Sequence, residues 1–400
     1  MQGLEPPVKT FQAGDKALII GAGLAGSAVA GALAGQGFQC RVFDAGLTAA
    51  SQTSAIPVAI YRPHISLQQN VARLYYSRAF SRIVDELKTF DNRPVLNNGL
   101  LQLITDQRSW QDGEHHRVLS PKEASDKANR SILHRAIFIE SAGSLVPSEL
   151  CHHWLQKTKN IQLTTSTVVH QINRTSDGWE LCDIDNNTID RGDFVVLANG
   201  LKANQLTRQP ALPLTPISGQ ISHIATATPP AIDTPIIENK GYAVPTVNGY
   251  WVGATHHRHT SNTVPSHNDD ASNFATLKAL ANSTGTVTNS WTGVRCTTPD
   301  RLPVVGGVAD SGFFTKEYRE LHHGRKFQIF PPAQHIDGLY VTAGMGSRGA
   351  TQALYAAELL VDIIKGEFNA ESTIYAAVNP VRFLIRKLRQ NPLNSIRIDK

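Results

Sequence analysis

The 400 residues carry 38 Lys and Arg against 33 Asp and Glu, with 41% hydrophobic and 18% charged residues. That balance fits a folded chain long enough for two packed domains, or one domain interrupted by another, and excludes a disordered protein. Four scattered cysteines without a CxxC pair exclude a zinc knuckle and a small disulfide scaffold, and they suit a reducing, cytoplasmic compartment.

In chain order, a strand is predicted from about Lys16 to Ile20, a turn at Gly21, a helix to about Gly35 and a second strand over Gln39 to Phe43. The stretch from Leu18 to Gly35 has no charge, but it is mostly Gly, Ala and Ser and reads as strand–turn–helix rather than a membrane span. Helical spacing runs from Ile65 to Thr89. Short apolar runs at Leu100–Ile104 and Ala136–Ile139 then alternate with polar loops. Ile161 to Ile172 reads as a strand region, and Asp193 to Ala198 as a short buried strand ending at Asn199-Gly200. Tyr242–Val247 and Tyr250–Ala254 flank Asn248-Gly249, a type I′ hairpin signal. Trp291–Arg295 and Leu339–Ala343 are further strands, and a last long helix is expected over Gly349–Ile364. The economical assembly is α/β: a Rossmann-type nucleotide domain from residues 1–95, 155–215 and 325–370, with a sheet-rich substrate domain from 96–154 and 216–324 inserted into it. Residues 371–400 form a basic tail.

Gly21-Ala22-Gly23-Leu24-Ala25-Gly26 is a GxGxxG between strand and helix. Gly21 permits the tight turn, Gly23 clears space for a pyrophosphate, and Gly26 allows close helix–sheet packing. Asp44, at the end of the second strand, is placed to hold ribose hydroxyls. A second glycine cluster, Gly344-Met345-Gly346-Ser347-Arg348-Gly349, again joins a strand to a helix. Two anion-binding turns closing over one cofactor fit FAD better than NAD. Candidate cofactor contacts are therefore Gly21, Gly23, Gly26, Asp44, Val168, Gly200, Gly344, Gly346, Ser347 and Gly349.

For the chemistry, Arg295 is the first candidate to clamp a substrate carboxylate, since its planar fork matches that group. A surface or ion-paired arginine is the bland alternative. Arg348 is the second candidate, with a phosphate or helix-support role equally open. The small-residue stretch from Ser51 to Pro63 is expected to run beneath the cofactor, with Tyr61 or Arg62 reaching the pocket. Gln220 is a candidate ligand contact at the domain border. The histidines at 256, 257, 259, 322 and 323 lack accompanying acidic spacing, and no metal site is expected.

The excess charge is local. Residues 381–400 hold six basic residues against Asp399 alone, which accounts for the net +5. Val381, Leu384, Ile385 and Leu388 recur at helical spacing beside a stripe of Arg382, Arg386 and Arg389, which is expected to meet a polyanion. An ordinary solvated helix face is the alternative.

These motifs, together with Ala59-Ile60-Tyr61-Arg62-Pro63, Gly219-Gln220-Ile221-Ser222-His223, Gly253-Ala254-Thr255-His256-His257-Arg258, Gly293-Val294-Arg295-Cys296 and Asp300-Arg301-Leu302-Pro303-Val304-Val305-Gly306, carry a resemblance. The chain resembles the FAD-dependent D-amino-acid-oxidase-like superfamily. Within it, the chain is similar to the oxidoreductase half of the bifunctional transfer-RNA wobble-uridine enzymes, whose tail the run Asn379 to Leu388 also matches. That resemblance implies a CH–NH oxidoreductase acting on 5-carboxymethylaminomethyluridine, usually 2-thiolated, in transfer RNA, releasing glyoxylate and leaving the aminomethyl base. It also implies Arg295 as the carboxylate clamp with Arg348 assisting. Only some fifteen residues precede the first strand, so the family's methyltransferase half is expected on a separate partner if anywhere. Oxidation of a free glycine-like, N-methyl or D-amino acid is the alternative activity, and a non-catalytic flavin-bearing RNA-binding protein a third.

Overall fold

The computed structural model describes residues 3–90, 94–207, 212–230, 234–238, 241–324 and 328–390. Its first layer is a six-stranded sheet, in spatial order 304–309, 335–343, 194–197, 16–20, 39–43 and 161–164. The last five of these are mutually parallel, and Val304–Ala309 is an antiparallel edge. The central strands Lys16–Ile20 and Phe194–Leu197 are buried on both faces, which is why they read as continuous apolar runs such as Ala17-Leu18-Ile19-Ile20. Ala17, Ile19, Phe194 and Val196 face the helix-covered core, whereas Leu18, Ile20, Val195 and Leu197 face a second core with Trp179 and Leu181 of a small three-stranded sheet. The helix Leu24–Gly35 packs on the helices Pro147–Gln156 and Gly349–Lys365. Strand order reverses between Lys16–Ile20 and Phe194–Leu197, and a crevice for a dinucleotide lies beyond the carboxyl ends of two such strands.

The second layer is a ten-stranded sheet. One face is covered by the helices Pro121–Ala128 and His267–Ala281, through Leu101, Phe138, Ile224, Val252, Leu277 and Leu280. The other face is turned toward the nucleotide layer. Register places Gln102, Ile237, Tyr242, Gly253, Ile221 and Trp291 opposite one another on successive strands. Cross-strand partners project to one face, and so do residues two apart on a strand. Gly219, Gly293 and Arg295 therefore share that face.

Several boundaries differ from expectation. The helix begins at Val71, where the Asn70 side chain accepts from the Arg73 N–H at 2.9 Å, and ends at Leu87. The run 161–172 is broken: Ile161–Thr164 joins the six-stranded sheet and Gln171–Arg174 the three-stranded one. The hairpin forms, but Thr246 pairs with Gly249, so its turn is Val247-Asn248 and neither residue has the positive φ of a type I′ turn. Val304–Ala309, assigned from sequence to the inserted piece, belongs to the nucleotide sheet, while Ala59–Tyr61 belongs to the ten-stranded one.

Candidate active site

At the first glycine turn the backbone has no room for side chains. A Cβ at Gly26 would lie 1.8 Å from the Gly21 carbonyl oxygen, and one at Gly21, whose φ is +106°, would lie 2.8 Å from the Ala198 carbonyl. Helix and sheet touch through these glycines. Gly23 caps the helix without a side-chain hydrogen bond, and Ser54 Oγ accepts from the Leu24 N–H at 3.0 Å. Asp44 bridges the turn to the following loop, accepting from the Ala22 N–H at 2.6 Å and the Gly46 N–H at 2.8 Å. Two carboxylate oxygens offer about four acceptor positions, which leaves capacity for ribose hydroxyls. Val168 is 47% exposed in the loop after Thr164, and the neighbouring Thr167 N–H is tied to the Asp44 carbonyl.

The second turn comes against the strand Thr286–Thr297. Its Gly344 lies beside Thr298, its Gly346 beside Thr297, and Gly349 beside Leu24 of the first helix. Gly200 is the close neighbour of Cys296, and Ser347 is exposed. The segment from Ser51 links the first turn to the arginine-bearing strand: Ser54 touches the turn, and Thr53 Oγ1 donates to the Val294 carbonyl at 2.5 Å. Two glycine turns, one connecting segment and the arginine-bearing strand thus converge.

Arg295 lies across the neighbouring strand. A Cβ at Gly219 would meet Arg295 Nη1 at 2.3 Å, so glycine is what lets the guanidinium lie over that strand. Arg295 Nη1 is shut off from solvent, and among the described residues it has no hydrogen-bond partner. Burial pulls its pKa down while the neighbouring Tyr242 pushes it back up, and enclosure raises the Tyr242 phenol to about 12. Arg348, at the second glycine turn, is likewise incompletely satisfied. Its Nη2 donates to His64 Nδ1 at 3.1 Å, its plane rests 5.0 Å from the Tyr76 ring, and Nη1 is enclosed without a partner. Arg62 donates to Gln102 Oε1 at 2.7 Å, and Tyr61 is 3% exposed within the main core beside Gly143.

Two expectations are corrected. Gln220 cannot touch a ligand, because strand alternation turns it to the helix-covered face. There Nε2 donates to the Ser266 carbonyl and Asp270, while Oε1 accepts from the Ser266 N–H and Thr292. Arg382 does not line a solvent-facing stripe. It is 3% exposed and donates to both Asp300 oxygens and to the carbonyls of Leu302, Val378 and Asn379. Arg386 is half exposed and pairs with Asp300 at 2.7 Å, and Arg389 is exposed on the same helix. Lys387 is exposed beside them, and the last two basic tail residues, Arg397 and Lys400, lie outside the described residues. Sequence reading passed over His64, Gln102 and Tyr242 as site residues. A histidine two residues beyond Arg62 and a tyrosine opening a predicted hairpin strand were the available signals.

The residues fit FAD. Ser51 Oγ, Asn199 Oδ1, Arg295 Nη1, Arg348 Nη1 and Gln352 Oε1 are buried without protein partners, and each belongs to or adjoins one of the converging segments. Buried polar atoms of that kind call for a ligand or water to satisfy them. Gly21 and Gly23 would let the pyrophosphate approach the helix N-terminus, with Gly26 holding helix to sheet, Asp44 would take the ribose, and the second turn the flavin end. Among the described residues, no helix is long and apolar enough to cross a membrane.

Comparison with known proteins agrees. Residues 16–363 match the family model described as FAD dependent oxidoreductase. The chain is 29% identical over 392 residues to the tRNA 5-methylaminomethyl-2-thiouridine biosynthesis bifunctional protein MnmC of Thiobacillus denitrificans, covering 91% of this chain and 59% of that protein. It is 29% identical over 395 residues to the protein of that name from Legionella pneumophila strain Lens, covering 94% and 58%. The chain thus spans well under two thirds of these relatives. In fold it is similar to glycine oxidase from Geobacillus kaustophilus, with a TM-score of 0.75 at 20% identity over 92% of this chain and 99% of that one. Iminodiacetate oxidase from Chelativorans sp. BNC1 superposes with a TM-score of 0.70 at 19% identity, over 90% and 98%. The chain belongs to the FAD dependent oxidoreductase family, with the D-amino-acid-oxidase-like fold, and is homologous to the oxidoreductase portion of those bifunctional proteins.

Proposed function

We propose that the protein oxidises the carboxymethyl C–N bond of 5-carboxymethylaminomethyluridine, with or without 2-thiolation, at the wobble position of transfer RNA. The products are the 5-aminomethyl base and glyoxylate. The observation that carries the reading is Arg295, a guanidinium with one enclosed, unpartnered nitrogen, on the sheet face turned to both glycine turns. FAD, when bound, supplies an acceptor for the hydride leaving the carbon next to nitrogen. Arg295 clamps the carboxylate so that this C–H is held still. Loss of hydride and the amine proton leaves an imine, water adds to its carbon, and the C–N bond then breaks. Tyr242 stays protonated near Arg295 and can donate a hydrogen bond to the same carboxylate. The assignment to RNA draws on the curated relatives and on the exposed Arg386, Lys387 and Arg389.

One observation favours oxidation of a free glycine-like, N-methyl or D-amino acid instead. Arg382 is withdrawn from solvent, so the basic stripe offers an RNA less than its sequence suggests. Incubating the holoenzyme in air with glycine, sarcosine, D-alanine or transfer RNA bearing the carboxymethylaminomethyl group separates the readings. Glyoxylate from the modified RNA, in preference to turnover of free amino acids, is expected. Rapid turnover of a free amino acid with the RNA inert would reverse the assignment.

A further inference from the structure

At the second glycine turn lies a cluster of positive charge that no carboxylate among the described residues pairs with at Arg62 or Arg348. Arg348 comes near enough to Arg62 to depress it: Arg62 falls to about 9 through burial first and Arg348 second. Arg301 adds a third guanidinium: it lowers Arg348 after burial, and it is exposed at the outer side of the cluster. His64 does not supply negative charge. Burial, then Arg348, Arg62 and Arg301, lower it to about 4, so it is neutral and accepts from Arg348. Among the described residues, neither Arg62 nor Arg348 has an ion pair with a carboxylate, and the nearby Asp300 is committed to Arg382 and Arg386. Two partly enclosed, mutually repelling cations are costly unless an anion joins them.

The cluster is also held in place. Arg62 is anchored at both ends, by its N–H to Thr351 Oγ1 at 3.4 Å and its Nη1 to Gln102 at 2.7 Å. Arg301 sits at φ +65°, in the left-handed region that a non-glycine residue rarely adopts. The Tyr76 hydroxyl holds it there by donating to the Arg301 carbonyl at 2.5 Å. Gln102, Ile237 and Tyr242 are in register on three adjacent strands. The Arg62 anchor and the tyrosine beside Arg295 are therefore about 10 Å apart on one face.

We infer that Arg62 and Arg348, with Arg301 at the outer side, form a second oxyanion subsite, so that the preferred substrate carries an anionic group besides the carboxylate held by Arg295. This rests on the amine-oxidation reading for the first carboxylate only. A carboxylate or a phosphate satisfies the same guanidinium forks, and the test separates them.

The anaerobic holoenzyme is titrated by calorimetry with three compounds sharing an N-carboxymethyl amine: N-carboxymethyl-propylamine, N-carboxymethyl-β-alanine and the N-carboxymethyl derivative of aminoethyl phosphate. In the wild type one or both doubly anionic compounds bind about tenfold or more tighter than the propylamine, and the tighter one identifies the anion. Arg62→Met brings that ratio to within about twofold, whereas Arg295→Met weakens all three compounds and leaves the ratio standing. Arg62→Lys restores part of it, which a merely structural Arg62 would not do. Equal binding of neutral- and anionic-tailed compounds, no binding of any, or a ratio indifferent to Arg62→Met overturns the subsite. If the ratio appears but no compound is oxidised on admission of air, the subsite stands and the reading of the reaction fails.

Discussion

Arg382 and Arg348 are both largely closed in by protein, and the difference between their surroundings separates structure from site. Arg382 makes hydrogen bonds to Asp300 and to three main-chain carbonyls, which ties the tail helix Val381–Gln390 to the turn 298–302. Arg348 has a neutral histidine, a tyrosine ring and an enclosed nitrogen with no partner, and Arg295 is left similarly incomplete. A satisfied guanidinium is part of the scaffold. An unsatisfied one beside a glycine-lined turn is where a ligand belongs.

Substitutions can break that contrast. The largest expected effect is on turnover: Arg295→Met should lower kcat/KM for the N-carboxymethyl substrate about 10³-fold, with flavin content and melting temperature close to wild type. Loss of fold or flavin in parallel with activity would make Arg295 a scaffold residue. Arg382→Met should instead cost about 3 kcal/mol in urea unfolding, because Asp300 loses its buried cation and keeps the half-exposed Arg386 and weaker bonds from Thr298 and Leu302. Arg348→Met should stay within about 1 kcal/mol of wild type, since it removes a charge that repels Arg62.

Acid sharpens the comparison further. Burial pushes the Asp300 carboxyl up, but Arg382 and Arg386 outweigh it and hold it below the ordinary carboxylate range. Burial lowers Arg382 despite the pair, yet an arginine stays charged at any working pH, so the carboxylate is the titrating partner. Its contribution to stability is present above the unfolded carboxyl pKa and lost as pH falls through the lowered folded value. His64 behaves alike at higher pH: neutral when folded, it takes up a proton on unfolding below about 6.5. Stability should therefore decline between that pH and about 4, and unfolding curves of His64→Gln should lack that part of the decline. The smallest effect belongs to the exposed tail. Replacing Arg386 and Arg389 by Gln should reduce the slope of log Kd for RNA against log salt by about 1.4 if both meet phosphate.

Much of the nucleotide layer was legible because its constraints are local. Gly21, Gly23 and Gly26 sit at spacings that a strand–turn–helix needs, and the apolar runs of a doubly covered parallel sheet survive as runs in the chain. Contacts distant in sequence were not legible. Helical spacing put Arg382 beside Arg386 and Arg389, but its orientation is set by Asp300, 82 residues away. Gln220 could have been read better: it follows Gly219 on a strand, and adjacent residues face opposite ways, so only one of the two can look into the site. The Arg62, His64 and Arg348 cluster joins segments 284 residues apart, and no periodicity announces it. The edge strand Val304–Ala309 was misassigned because its partner, His335–Ala343, follows a helix and a long loop.

The most direct test is a crystal structure of the yellow holoenzyme with methylthioacetate, in which sulfur replaces the oxidisable nitrogen. The account predicts its carboxylate within about 3.2 Å of the Arg295 guanidinium, with Arg382 still on Asp300. A carboxylate bound elsewhere, with Arg295 turned away to a protein partner, would contradict it.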